Sequence, residues 1–226
     1  MTANAQAIIR RLSALRTMRQ PLEQGWSECF DYSFPERSNG LNGSILQPND
    51  IQSKKTRILD ENIHGSNFDS AAFECCVDIV GAGWFVLYID EAKEGGYHFE
   101  QWPLGQCFIS ASRAGGKVDT IYRELELTVE QMVAEYGIDK VSAKVADMYR
   151  EEKFDQKLSV VHAIYPRSIH AVNGRMAKNL PFASCHVEVA SKHTLRESGY
   201  HEFPCVIPRW MLVPGSPYAT GPMAQA

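Results

Sequence analysis

Gly81-Ala82-Gly83-Trp84-Phe85-Val86-Leu87-Tyr88-Ile89 joins a helical pattern to a strand pattern. Upstream of it Phe68, Ala72, Cys75 and Ile79 share one helical stripe, and Ser66 or Asn67 stands where a cap is needed. The two glycines stop that helix. The six apolar residues after them are too few for a typical helix and have the length of a buried strand. A helix that runs into a buried strand predicts an α+β fold, with Gly81 and Gly83 at the strand entry.

Toward the amino terminus, helical character is expected from about Lys54, after a Ser-, Asn- and Gly-rich loop at residues 38–50 with little to bury. Before that loop, Ile8, Leu12 and Leu15 recur at i, i+4 and i+7 and form one apolar stripe. Arg10, Arg11, Arg16 and Arg19 occupy other faces. Pro21 suits the first turn of a second helix, where its missing N–H costs nothing. Leu22, Trp26, Cys29 and Phe30 would line one face of that helix until Pro35 ends it.

Toward the carboxy terminus, a charged turn from Asp90 to Gly96 ends the apolar run. Residues 97–102, 106–111 and 118–124, with a Gly115-Gly116 turn, predict an antiparallel meander. Thr128 precedes Gln131 at capping-box spacing and opens a helix to Tyr136, which Gly137 stops. A further helix is predicted over Ala143–Glu152, and strands over Ser159–Pro166, Ser184–Val189 and Pro204–Val213. Gly199-Tyr200 reads as a turn before the last of these. Alternation there puts Arg209 and Trp210 on opposite faces, the tryptophan in the core and the arginine toward an acidic partner.

Composition bounds the function. With 226 residues the chain can form one or two domains with a sizeable core. A net charge of -4 argues against strong general affinity for DNA, which needs surplus Lys and Arg to displace counterions. No apolar stretch approaches a membrane span, and the amino terminus lacks the apolar core of a signal peptide. Cys29, Cys75, Cys76, Cys107, Cys185 and Cys205 show neither a CxxC pair nor a disulfide framework, and read as reduced core thiols.

Chemical motifs are missing where they would be expected in an enzyme. His162, His170, His186 and His193 match no structural zinc spacing, and neighbouring Cys185 and His186 point to opposite faces of a strand. Gly81-Ala82-Gly83 follows a helix rather than a strand, the reverse of a dinucleotide fingerprint. Gly115-Gly116-Lys117 lacks the upstream glycine and following Ser or Thr of a phosphate loop. There is no Gly-x-Ser-x-Gly elbow. No catalytic, metal-ligating or cofactor-binding residue is identified, and no cofactor is expected. Arg10, Arg11 and Arg16 are the charge feature above background, open to contact with phosphates or with an acidic neighbouring subunit.

Several blocks in the same order resemble the portal proteins (head-to-tail connectors) of short-tailed phages. Arg19, Pro21, Glu23, Trp26, Glu28, Tyr32 and Pro35 match an opening signature of that family. Ser66-Asn67-Phe68 follows, then Gly81 and Gly83 with the strand, then Gly116-Lys117-Val118-Asp119-Thr120-Ile121-Tyr122-Arg123, Leu127 to Gln131, and Tyr136-Gly137. Pro181 to Ser184 and a terminal block of Gly199, Tyr200, Pro204, Arg209, Trp210, Tyr218, Gly221 and Pro222 complete the series. The chain departs from the family's pattern in three places. Asp60 and Ser66 are nearly adjacent where the family has a long α/β segment, so that segment reads as deleted. Ala219-Thr220 replaces a usual Gly-Arg, and Ala226 precedes the regions that form stem, clip and crown.

The resemblance implies an amino-terminal helical arm and polar loop over residues 1–53 and a mainly antiparallel, wing-like α+β region with interspersed helices over 54–226. In the complete family such subunits close a ring of about a dozen around a DNA channel. The implied partners are other portal subunits, capsid, tail adaptor and terminase proteins, and DNA passing without sequence readout. The implied location is the virion, with the host cytoplasm during assembly, and no membrane. The shortened form reads as the product of a degraded or rearranged prophage gene, and is not expected to close a stable ring by itself. Two readings from other classes stand beside this one: a small metal-dependent hydrolase, and a weak nucleic-acid-binding module using the amino-terminal arginines.

Overall fold

An antiparallel sheet whose central strands are buried on both faces builds the larger unit of the molecule. β3 (Cys107–Ser110), β4 (Thr120–Thr128), β5 (Lys157–Pro166), β6 (Phe182–Glu188) and β7 (His193–Tyr200) form an antiparallel sheet in that order. Because side chains alternate, Tyr122, Ala163 and Cys185 line up across one face and Arg123, His162 and His186 across the other. The computed structural model describes residues 2–23, 61–92, 95–113, 116–168 and 176–225. Its larger unit comprises Met1–Glu23, Trp102–Pro204 and Leu212–Tyr218; the smaller comprises Gln24–Gln101, Cys205–Met211 and Ala219–Ala226.

On the first sheet face of the larger unit lies α1 (Thr2–Glu23). Its stripe of Ala5, Ile8, Leu12 and Leu15 packs on Phe108, Tyr122, Val161, Ala163, Cys185 and Val187. Burial of each large aliphatic side chain contributes about 1.5–3 kcal/mol, so the stripe and not intrinsic propensity holds the helix in place. The second face is covered by α3 (Val129–Tyr136) and α4 (Ala143–Arg150), through Val129, Met132, Tyr136, Val145 and Ala146 against Val160 and Leu195. The start of α3 is a reciprocal capping box: the Gln131 N–H donates to Thr128 Oγ1 and the Thr128 N–H to Gln131 Oε1. Gly137, at φ 85°, ends it.

In the smaller unit α2 (Phe68–Ala82) packs on a three-stranded sheet in the order β2 (Tyr97–Gln101), β1 (Leu87–Glu91), β8 (Cys205–Val206). Ala71 and Cys75 meet Leu87 and Phe99 in its core. The molecule is α+β, as the sequence predicts.

Particular expectations need correction. α1 runs through Pro21 to Glu23, with no break before the proline. A proline inside a helix removes one backbone bond, and the stripe that anchors α1 lies upstream of it. The predicted meander is divided: β2 pairs with β1, whereas β3 pairs with β4 in a separate sheet. Pro103, which has no N–H for a ladder, and a 3-10 turn at Leu104–Gln106 separate them. The buried run Trp84–Ile89 becomes regular strand only at Leu87, although Trp84 and Val86 are fully buried. Gly199 and Tyr200 end strand β7 instead of forming a turn, and His193–Tyr200 was not anticipated as a strand. Pro204–Val213 is broken into β8 and a two-residue β9 (Met211–Leu212), with Pro208 between. Cys76 is exposed, unlike the buried Cys75, Cys107, Cys185 and Cys205. Trp26, Cys29, Tyr32, Pro35, the polar loop, the stretch from Lys54 to Asp60 and His170 lie outside the described residues.

Candidate functional site

Two motif blocks far apart in sequence meet at one joint in the smaller unit, the terminal block contributing two separate stretches. Gly83 closes α2 in the left-handed conformation at φ 83°, its N–H donating to the Ile79 carbonyl at 3.0 Å. A Cβ on Gly83 would fall 2.1 Å from the Thr220 carbonyl carbon and 2.3 Å from the Gly221 nitrogen. A Cβ on Gly221 would fall 2.6 Å from the Val80 oxygen and 2.8 Å from the Gly83 nitrogen. These glycines are needed because two backbones touch. The Trp210 N–H donates to the Gly83 carbonyl at 2.7 Å, and Trp84 forms an antiparallel bridge with Arg209. Gly81, in the last turn of α2, has open space where a Cβ would stand. Pro222 opens a short 3-10 turn that packs on α2.

Asn67 and Phe68 fix the other end of α2. The Asn67 side chain both donates to the Phe99 carbonyl at 2.6 Å and accepts from the Phe99 N–H at 2.9 Å, copying the pairing of a neighbouring strand. It therefore does not cap the helix; Ser66 Oγ accepts from the Phe68 N–H at 3.3 Å. Phe68 and Phe99 meet edge to face at 5.1 Å.

The expected core position of Trp210 is wrong: its ring is 60% exposed, while the ring of Trp84 is wholly buried. The prolines break the strand around Trp210, so alternation no longer decides which way its side chain points. Met211 and Leu212 are also exposed, as are Val206 and, one turn apart on α2, Phe73 and Val77. A helix that is apolar on two faces commonly meets a second surface.

In the larger unit the remaining motif residues serve the sheet. At Gly199 a Cβ would approach the Ala177 oxygen to 2.4 Å and the Phe182 oxygen to 2.7 Å. Beside it Arg167, unremarkable in the sequence, donates to the carbonyls of Ala177, Leu180 and Ser198 and to the Glu197 carboxylate, all within 3.1 Å. Tyr200 pairs with Phe182, Pro204 lies at the end of this unit's main segment, and Tyr218 is buried. On α1, Arg10, Arg11 and Arg16 are exposed. Arg16 pairs with Glu124 and lies over the Phe108 ring, and Arg11 stands by the Tyr122 hydroxyl, opposing the upward push of burial on that group. The backbone of Arg19 and Pro21 belongs to α1.

Arg123 begins a ladder that local sequence reading missed. Arg123, His162, His186 and Arg196 stand in register across β4 to β7 on the face opposite α1. The two imidazoles stack at 4.0 Å, Trp102 lies 5.5 Å from His162, and the Arg123 guanidinium lies 4.8 Å from the centre of the Trp102 ring. Arg196 Nη2 is 3.3 Å from His186 Nε2 and the Tyr136 hydroxyl is 2.7 Å from His186 Nδ1. An arginine only donates, so Nε2 accepts and the neutral ring carries its proton on Nδ1. Burial first, then the neighbouring ring and both arginines, hold His162 well below the usual histidine range; burial and then Arg196 bring His186 down to about 3. Period-two spacing in β5 and β6 put both rings on a sheet face, but only strand pairing put them together.

Burial and nearby Asp78 push the Cys75 thiol up to about 12, far from a reactive thiolate. Cys185 lies on the α1 side of the sheet, opposite His186. Among the described residues no group of three or more His, Cys, Asp or Glu is placed to hold a metal ion. No helix among them is long and apolar enough to cross a membrane.

A family model described as bacteriophage head to tail connecting protein matches residues 49–226. The chain belongs to that family. Its similarity to individual connectors is partial: it is 39% identical over 124 residues to a "Probable portal protein" of Bordetella phage BPP-1, covering 54% of this chain and 22% of that protein. It is likewise 39% identical over 111 residues to the "Portal protein" of Salmonella phage epsilon15, covering 48% of this chain and 20% of that one. The matches span about a fifth of these relatives' length. The connector match includes the described motif joint at Gly83, Trp210 and Gly221.

Proposed function

We propose that the chain is a structural component of a phage portal, with residues 54–226 supplying a wing-like region and residues 1–53 an arm. The observation that carries this reading is the family match over residues 49–226, whose glycine and tryptophan blocks are used for backbone packing rather than for reacting groups. On this reading the chain has no catalytic step. Its partners are other portal subunits and, through them, capsid, tail adaptor and terminase proteins in the virion, with assembly in the host cytoplasm. DNA would be conveyed past it without sequence readout, consistent with the net charge of -4. The exposed Phe73, Val77, Trp210 and Met211 suit contact with other protein surfaces.

Light scattering coupled to size-exclusion chromatography, with metal analysis of the same sample, tests the proposal. The expected result is metal-free protein that associates weakly with itself in a concentration-dependent way, without a homogeneous dodecamer of the 25.4 kDa subunit. Stoichiometric zinc, or a strict monomer at every concentration, would count against a structural subunit. A closed dodecamer would support the portal reading and refute the expectation that this chain cannot close a ring alone.

A further inference from the structure

The second sheet face of the larger unit carries four nitrogen-rich side chains in one row, Arg123, His162, His186 and Arg196. We propose that the stacked His162–His186 pair makes this unit an acid-sensitive latch, closed while both imidazoles are neutral and opened along α3 and β7 when either takes up a proton. A second proton on His186 would sit on Nε2, the atom that accepts from Arg196 at 3.3 Å. That hydrogen bond is then lost and two cations face each other. A proton on His162 places a charge 4.0 Å from the other ring, under Trp102 and beside Arg123 in the row. Neither charge reaches water unless the cover moves, because both histidines are buried.

The groups that face the pair define the latch. Among the described residues they include Arg123 from β4, Ser184 from β6 at 2.9 Å from His162 Nε2, Arg196 from β7, Tyr136 from α3, and Trp102. Glu135 on α3 pairs with Arg196 at 3.6 Å on its half-exposed side. One step along the same face of β6, the buried Glu188 stands opposite Val160 and His193. The two histidines are thus flanked in the row by arginines on both sides. Tyr136 and Arg196 tie α3 and the edge strand β7 to a single ring: the second proton breaks the bond to Arg196, and α3, whose Tyr136 still accepts from Nδ1–H, must shift for water to reach the charge.

The sign follows from linkage. Both rings are held below the ordinary histidine range in the folded chain, so the unfolded or open form binds more protons between about pH 6.5 and the folded values. The stabilisation is complete above about pH 6.5 and is lost as pH falls. Each ring can change the closed-to-open ratio by up to about tenfold per pH unit in that range. The exposed His64, His98 and His201 lack such burial.

Melting midpoints between pH 8 and 5 and amide hydrogen exchange at pH 7 and 5.5 test the latch on the whole chain. The midpoint should be flat above about pH 7 and fall below it, with exchange in Val129–Tyr136 and His193–Tyr200 rising by at least about tenfold before that of β4 and β5. His186→Gln should reduce the pH dependence to the share carried by His162, and Glu188→Gln should leave it in place. The reverse pattern in these two variants, or a wild-type midpoint independent of pH, would overturn the proposal. If His186→Gln does not fold, imidazole titration of the wild-type chain by NMR decides: both buried rings should titrate well below the ordinary histidine range, and a buried ring that titrates near 6.5 while the chain stays folded overturns it.

Discussion

In the larger unit, side chains from α1, α3 and α4 fill both faces of a five-stranded sheet, and most contacts are between flexible or rotatable groups. In the smaller unit the decisive contact is backbone against backbone, where Gly83 and Gly221 leave no space for a Cβ. A side-chain core can relax around a change of volume, at a cost that depends on how far it collapses. Two touching backbones cannot. The Gly83–Gly221 joint is therefore the less tolerant; in the larger unit the same limit applies where Gly199 presses on the Ala177 and Phe182 carbonyls, and its side-chain core is more forgiving of substitution.

The sharpest way to break that contrast is Gly83→Ala. Positive φ and a Cβ 2.1 Å from Thr220 predict a loss of more than about 3 kcal/mol, read by urea unfolding and by protease susceptibility near residue 83. Its control is Gly81→Ala, which meets nothing and should stabilise α2 by about 0.5–1 kcal/mol. Equal stability of the two variants would show that the joint yields. Next in size is Arg167→Ala in the larger unit, expected to cost about 2–3 kcal/mol because it abandons three carbonyls and a carboxylate. A loss under about 0.5 kcal/mol would mean that water replaces the guanidinium freely.

Thr128→Ala should cost about 1 kcal/mol by opening the capping box of α3, with a melting curve as the readout. The smallest effect belongs to Trp210→Ala. Its exposed ring predicts a stability change within about 0.5 kcal/mol, against about 3–5 for a buried aromatic such as Trp84. The same variant should weaken self-association in light scattering if Trp210 meets a partner surface. A large loss of stability would place the ring in a core after all.

Local physics was legible in the residues themselves. The Ile8, Leu12 and Leu15 stripe, the Thr128–Gln131 capping box, the Gly137 stop and the helix–glycine–strand order around Gly83 all depend on neighbours within a few positions. The fold class followed from them, and so did the opposite orientation of Cys185 and His186. Pairing decided the rest. Alternation in β2 and β3 was visible, but nothing local says that they join different sheets. Gly199 looked like a turn because a glycine in a turn and a glycine pressed between the Ala177 and Phe182 carbonyls have the same letter. Trp84 and Trp210 are both large and apolar; only the position of prolines and of the opposing backbone buried one and exposed the other. His162 and His186 are twenty-four positions apart, and the ladder that stacks them exists only once β5 and β6 are in register. The sequence by itself determined where helices begin and end and which face of each strand is apolar, since those depend on short-range sterics and periodicity. Tertiary structure decided which backbones touch, which tryptophan is covered and which histidines share one buried site, since those depend on contacts between residues that the chain places far apart.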